Sequence, residues 1–402
     1  MSEIQANGEV TYSKARIRWM LFALVFVMVI QGFGQFKLIP MQDAIQTYFQ
    51  INEGAYGIMG SAQNWMMIVL SIPLGLLAKK VPCKWGFAAG FLVALAGVVI
   101  QVTAQNFVLF VIGRMLEGGG FGFASLTTGS LILTLVDPKR RGFWASVSSV
   151  AFILPQIIIT QGGSALLTST GLSFQSIFMI IGGLYILVIA IWLIIVPVTV
   201  RVHGVADSTK PTREQTLRVY KNKTNWLVSI AFIGYNAVSI GLTSYIIKFL
   251  CTKGMSMPQA ANTYTATTII GMVSMIVFGI LADKLGTKRK IVMVGYMFCA
   301  FSLVALAILP ANLMFIYVAL YATVPRSISG LTSASAADIA ELPTDIPVVN
   351  SVKNTITQIG SVVMTILMGF LIQYLGYEVT ILIIAAECVI GAILWYFAKQ
   401  IK

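Results

Sequence analysis

Apolar runs of membrane-spanning length recur along the whole chain and leave it one broad way to fold. A helix crosses the hydrocarbon core with roughly 20 apolar residues. On that criterion twelve segments qualify, approximately 18–40, 54–78, 85–104, 107–135, 142–166, 173–197, 224–250, 258–282, 290–309, 312–335, 349–375 and 378–398. Hydrophobic residues make up 57% of the chain and charged residues only 10%, whereas soluble domains carry roughly 25% charged residues. A water-soluble fold is therefore excluded. The first segment is too long for a signal-peptide core and lacks a small-residue cleavage site, so it counts as a true span.

The basic residues set the orientation. With the N-terminus in the cytoplasm, the inner loops and tails hold 21 of the 27 lysines and arginines, and the outer loops keep only Lys253. Lysine and arginine in short loops mark the cytoplasmic side, so both termini are placed inside. The net charge of +13 thus reflects topology, and nucleic acid is not an expected partner. One loop departs from the pattern. Residues 336–348 carry Asp338, Glu341 and Asp345 without a basic residue, yet an even helix count places them inside too.

Two related turns stand about 204 residues apart, half the chain. The first runs from Gly75 to Lys84 and the second from Gly279 to Lys290. Each follows one apolar run and precedes another, which points to two related halves. The expected organisation is a cytoplasmic tail over 1–17, a six-helix bundle over 18–197 and a cytoplasmic linker over 198–223. A second six-helix bundle over 224–398 and a tail over 399–402 complete the chain. The fold class is an all-α membrane protein of twelve transmembrane helices in two pseudo-symmetric six-helix bundles. Membrane proteins built this way move substrates at the interface of their repeats.

Twelve spans, a central loop and the paired turn together resemble the major facilitator superfamily of transporters. In the second turn Gly279, Asp283, Gly286, Lys288 and Arg289 all fit that family's G-x-L-A-D-[K/R]-x-G-x-[K/R] signature. The first turn keeps Gly75 but has Lys79 in place of the aspartate and Pro82 in place of the second glycine. The resemblance implies that these residues latch neighbouring helices during gating. Arg114-Met115-Leu116-Glu117-Gly118 resembles a further family motif linked to proton coupling. The family also implies alternating access and a central cavity lined mainly by spans one, four, seven and ten.

A charge near the bilayer centre costs about 2.5–3.5 kcal/mol or more on insertion scales, so it should face a partner or water. Beyond the loops remain Lys37, Arg114, Lys248, Arg326 and Lys353, with only Glu117 and Glu387 as acids. That basic excess is the main clue to substrate, because an anionic ligand best stabilises an unpaired cation. Arg326 lies roughly 21 Å along span ten from Asn312 at the helical rise and follows Pro325, where the helix should bend. It is the first candidate for substrate contact, against a structural role on carbonyls freed by the kink. Arginine suits carboxylate or phosphate because its planar fork donates two parallel hydrogen bonds.

Lys37 resembles the basic position of organic-anion carriers in span one, against a lysine snorkelling to headgroups. Lys353 is weighed between ligand contact and a gate role, and Lys248 is read as interfacial. Arg114, Gln31, Tyr235, Asn236 and Tyr321 complete the candidate substrate residues. Glu117 is the candidate proton-coupling group, with a permanent Arg114–Glu117 pair as the alternative. The glycines from Gly118 to Gly122 would let span four approach a neighbour closely; without a GK[ST] ending they are no phosphate loop.

The four cysteines, Cys83, Cys251, Cys299 and Cys388, lack CxxC spacing and read as isolated core residues. The one histidine, His203, lies in the linker. No metal site and no cofactor are expected, and nothing resembles a catalytic constellation. The function expected is secondary active transport of a small organic anion, first a carboxylate, as proton symporter or anion exchanger. The alternative is a multidrug or metabolite exporter driven by proton antiport, although span five lacks the drug-antiporter glycine-proline pattern. The expected partners are the anion, a proton or counter-anion and the lipid bilayer, with the chain a monomer in a bacterial inner membrane.

Overall fold

The computed structural model describes residues 3–4, 10–11, 13–78, 81–128, 141–198, 213–342 and 345–401. The chain divides into two compact units. Unit 1 holds Met1–Ala44 with Ala62–Ser208, and unit 2 holds Ile45–Ser61 with Thr209–Lys402.

Span one is Lys14–Phe36, begun by Ser13, whose hydroxyl accepts from the Arg16 N–H. A short helix, Gln42–Phe49, then leads into span two, Glu53–Ala78. Spans three to six are Cys83–Thr103, Phe107–Thr128, Arg141–Ala165 and Phe174–Ile195. In unit 2, Arg213–Lys221 precedes span seven. That span runs as Lys223–Asn236, a π-helical stretch Ala237–Leu242, and Thr243–Thr252. Spans eight and nine are Met257–Leu285 and Lys288–Ile308. Span ten is broken into Met314–Ala322, a 3-10 turn Val324–Ser327 and Ile328–Ala334. The last helical stretch, Ile346–Phe397, is interrupted at Gly376, whose φ of 80° divides it into spans eleven and twelve.

Nine helical stretches among the described residues are long and apolar enough to cross a membrane. The last of them contains both spans eleven and twelve, and spans two and five lie outside the nine. All twelve expected helices are therefore present among the described residues. The chain is a multi-pass membrane protein.

One segment departs from the expected division. Ile45–Ser61 groups with unit 2 rather than with the first bundle. The Tyr245 hydroxyl donates to the Glu53 carbonyl at 3.1 Å, and Tyr56 and Tyr245 meet edge to face. Lys248, read as interfacial, pairs with Glu53 at 2.8 Å and also donates to Gln46.

Close backbone approach explains the glycine run of span four. A Cβ on Gly120 would lie 2.3 Å from the Gly90 carbonyl oxygen of span three, and a Cβ on Gly90 would lie 2.6 Å from the Gly120 oxygen. Neither backbone can yield locally. Gly120→Ala should lower the melting temperature of the purified protein by overpacking worth about 1–3 kcal/mol. An unchanged melting temperature would show that spans three and four separate without cost.

The second repeated turn ties unit 2 together at one end. Gly286 closes span eight in the left-handed region (φ 59°), a conformation glycine adopts without steric cost. Lys288 pairs with Asp338 at 2.9 Å, and Arg289 donates to the Trp395 and Tyr396 carbonyls ending span twelve. Arg218 holds Asp345 through two hydrogen bonds of 2.9 and 3.1 Å, and that bonding raises the arginine above its ordinary pKa. Asp338 and Asp345 of the loop without basic residues thus meet basic partners from the signature turn and from Arg213–Lys221. The surroundings of Gly75, the Asp283 side chain, residues 199–212 of the linker with His203, and residues 129–140 with Lys139 and Arg140 lie outside what the structure describes.

Candidate functional site

In unit 1 a charged cluster sits where spans one, three, four and six meet. Glu117 lies at its centre with no solvent exposure. One carboxylate oxygen accepts from Lys37 Nζ at 2.8 Å and from the Tyr185 hydroxyl at 2.6 Å. The other accepts from Arg114 Nη1 at 2.9 Å and from Gln101 Nε2 at 3.0 Å. Arg114 also donates to the Gly34 carbonyl at 3.1 Å, and Lys37 lies 4.3 Å from the Phe178 ring centroid. Two cations share one anion, so the cluster carries a formal surplus of one positive charge.

Lys37 is therefore not a snorkelling lysine, because it is fully buried and ion-paired. The Arg114–Glu117 pair is present, one helical turn apart as the spacing requires. What sequence spacing could not place were Lys37, Gln101 and Tyr185, which reach the same carboxylate from other helices. Gln31 lies apart from that carboxylate in its bonding, donating to the Phe121 carbonyl and to Ser125.

In unit 2 Arg326 sits in the 3-10 turn that breaks span ten. Pro325 has no N–H to give the helix, and Thr323 leaves helical geometry at ψ −113°, so the backbone opens where the charge sits. Arg326 Nε and Nη2 are sealed from solvent and have no acceptor among the described residues. Its guanidinium lies 4.9 Å from the Tyr321 ring centroid, and Tyr321 stacks on Tyr317 with centroids 5.6 Å apart. Tyr235 and Tyr264 also act on it electrostatically, and among the described residues no carboxylate forms an ion pair with it. Gly271 of span eight leaves the room its side chain fills, since a Cβ there would meet Arg326 Cγ at 2.5 Å. The kinked-helix alternative had the arginine donating to freed carbonyls, whereas two of its nitrogens donate to nothing described.

The other candidates of unit 2 take different roles. Tyr235 is buried and stacks on Phe232, at the point where span seven enters its π-helical stretch; such bulges recur at functional sites. Asn236 accepts from the Ser239 hydroxyl at 3.4 Å. Lys353 is buried and donates to the Thr332 carbonyl at 2.7 Å, joining span eleven to the last piece of span ten. Sequence reading missed Gln63 and Asn225, whose buried amides have no partner among the described residues. It also missed Tyr264 and Tyr317, because tyrosines in apolar helices carry no spacing signal.

Gly271 gives this arrangement a direct check. Gly271→Ala should weaken any ligand bound at Arg326 by displacing the flexible side chain while leaving the helices folded. Binding equal to that of the unmodified protein would show that the present guanidinium position is unimportant.

The chain is 25% identical over 314 residues to a probable sugar efflux transporter of Helicobacter pylori (strain G27), covering 74% of this chain and 73% of that protein. It is 22% identical to the L-fucose-proton symporter of Escherichia coli (strain K12), covering 94% and 92%. A bacterial homolog of the human lysosomal transporter Spinster, solved in an inward-facing, unoccupied conformation, superposes with a TM-score of 0.82. That match is 16% identical and covers 97% of this chain and 98% of the other. The family model of the Major Facilitator Superfamily matches residues 24–341. That match spans most of the chain, so the chain belongs to the Major Facilitator Superfamily and is a transporter.

Proposed function

We propose that this transporter carries a small organic anion, first a carboxylate, by alternating access. The observation that carries the reading is Arg326, a cation in a tyrosine-lined setting with two sealed nitrogens that have no partner among the described residues. Buried donors without acceptors cost about 1–3 kcal/mol each, more for charged groups. A carboxylate would supply both the counter-charge and the paired acceptors. Glu117 is the coupling group in this reading. Its protonation would change the Lys37–Arg114–Glu117 cluster from a surplus of one positive charge to two, favouring an anion only when the proton is aboard.

A second reading is a neutral sugar. Two relatives are named for sugar transport, and in unit 2 the buried amide of Asn225, without a partner among the described residues, could both donate to and accept from a hydroxyl.

The test is thermal stabilisation of the purified protein by carboxylates, phosphates, sugars and lipophilic cations. Ligand at about 100 times its Kd stabilises the folded state by about 2.7 kcal/mol. Stabilisation by an anion class, lost in Arg326→Ala, supports the anion reading. Stabilisation by sugars that survives Arg326→Ala replaces it with the second. Stabilisation by lipophilic cations alone points to the exporter alternative.

A further inference from the structure

The cysteines read as isolated along the sequence are not all isolated in the fold. Cys388 Sγ lies 3.6 Å from Cys299 Sγ and donates to it, although 89 residues separate them. Both side chains are fully buried, one on span nine and one on span twelve. The helices are held close at this level by an independent contact. A Cβ on Gly391, one turn beyond Cys388, would meet the Tyr296 ring, one turn before Cys299, at 2.6 Å.

We infer that Cys299 and Cys388 form a dithiol that a small neutral hydroperoxide closes to a disulfide, stapling span nine to span twelve. Burial decides which oxidant can act. Charged or bulky disulfides have no route to thiols without exposed surface, whereas hydrogen peroxide is small and uncharged. One thiol attacks the peroxide O–O bond, becoming a sulfenic acid and releasing water. The second thiol then attacks that sulfur, the S–S bond forms, and the hydroxyl leaves with the remaining thiol proton as a second water. Two thiols are oxidised by two electrons and one peroxide is reduced to two waters. The first step is slow for a buried protonated thiol. The second is fast because its partner is already in contact, so closure outruns further oxidation of the sulfenic acid.

The staple lies near the candidate site. Tyr296, one turn before Cys299, meets Tyr235 edge to face with ring centroids 6.4 Å apart. A cross-link across 89 residues also restricts the unfolded chain and so should raise the melting temperature.

The experiment uses the full chain carrying Cys251→Ser, which removes a partly exposed thiol. The purified protein is treated with hydrogen peroxide, denatured, alkylated with N-ethylmaleimide and weighed intact. The expected result is a fall from three alkylatable thiols to one and a mass loss of two hydrogens. The melting temperature should rise, and dithiothreitol should reverse all three changes. Adding Cys388→Ser should abolish both the mass loss and the thermal shift. Three alkylatable thiols after a peroxide dose that oxidises Cys251 in the unmodified chain would overturn the inference. So would sulfinic acid at Cys299 or Cys388 in place of the disulfide.

Discussion

Arg326→Ala should abolish uptake of the carried anion into reconstituted vesicles while the protein remains helical and monodisperse. The expected loss in affinity is at least about 30-fold, since truncating one partner of a buried charge pair costs about 2–5 kcal/mol. Folding should survive, because Arg326 Nε and Nη2 make no hydrogen bond to any described residue that the fold would lose. Removing an uncompensated cation also removes its desolvation cost. Arg326→Lys separates charge from geometry. It keeps the cation but loses the planar fork, so it should recover part of the binding. If Arg326→Ala transports the anion normally, the guanidinium is not the ligand's partner.

Glu117→Ala should have the opposite signature, a large loss of stability before any question of transport arises. Glu117 is the shared acceptor for Lys37, Arg114, Tyr185 and Gln101. Removing one partner of a buried ion pair costs about 3–5 kcal/mol because it leaves the other charge uncompensated. Against a typical total stability of about 5–15 kcal/mol, such a loss should show as a sharp fall in melting temperature and yield. Lys37→Met in the same chain removes one stranded cation, so the double variant should recover part of that loss. A double variant no more stable than Glu117→Ala would mean that Lys37 and Glu117 are not coupled. Glu117→Gln serves the transport question. It keeps the side-chain shape, and pH dependence of uptake equal to that of the unmodified protein would assign Glu117 to structure alone.

Local features of the sequence carried their positions into the fold. Pro325 removed a helix donor and the helix broke around Arg326. Gly286 ended span eight in a left-handed turn, and Gly118 to Gly122 fell where span four meets its neighbours. These outcomes depend on one residue and its chain neighbours, so a linear reading reaches them. Lys248 shows what such a reading does not reach: its partner, Glu53, belongs to a segment nearly 200 residues earlier.

The sequence by itself determined the class of the protein, because apolar length and sparse charge allow no other solvent than lipid for these helices. It also determined which charges required explanation, since each charge in an apolar run has a cost wherever the helix packs. Only the tertiary structure decided which of those costs are met. Lys37, Arg114 and Glu117 satisfy one another across helices, whereas Arg326 meets rings and, among the described residues, pairs with no carboxylate. Cys299 and Cys388 touch without any spacing that announces it. Pairing between helices depends on their relative rotation and height, and a change of one residue turns a side chain by about 100° at 3.6 residues per turn. That angle separates a buried partner from a lipid-facing one.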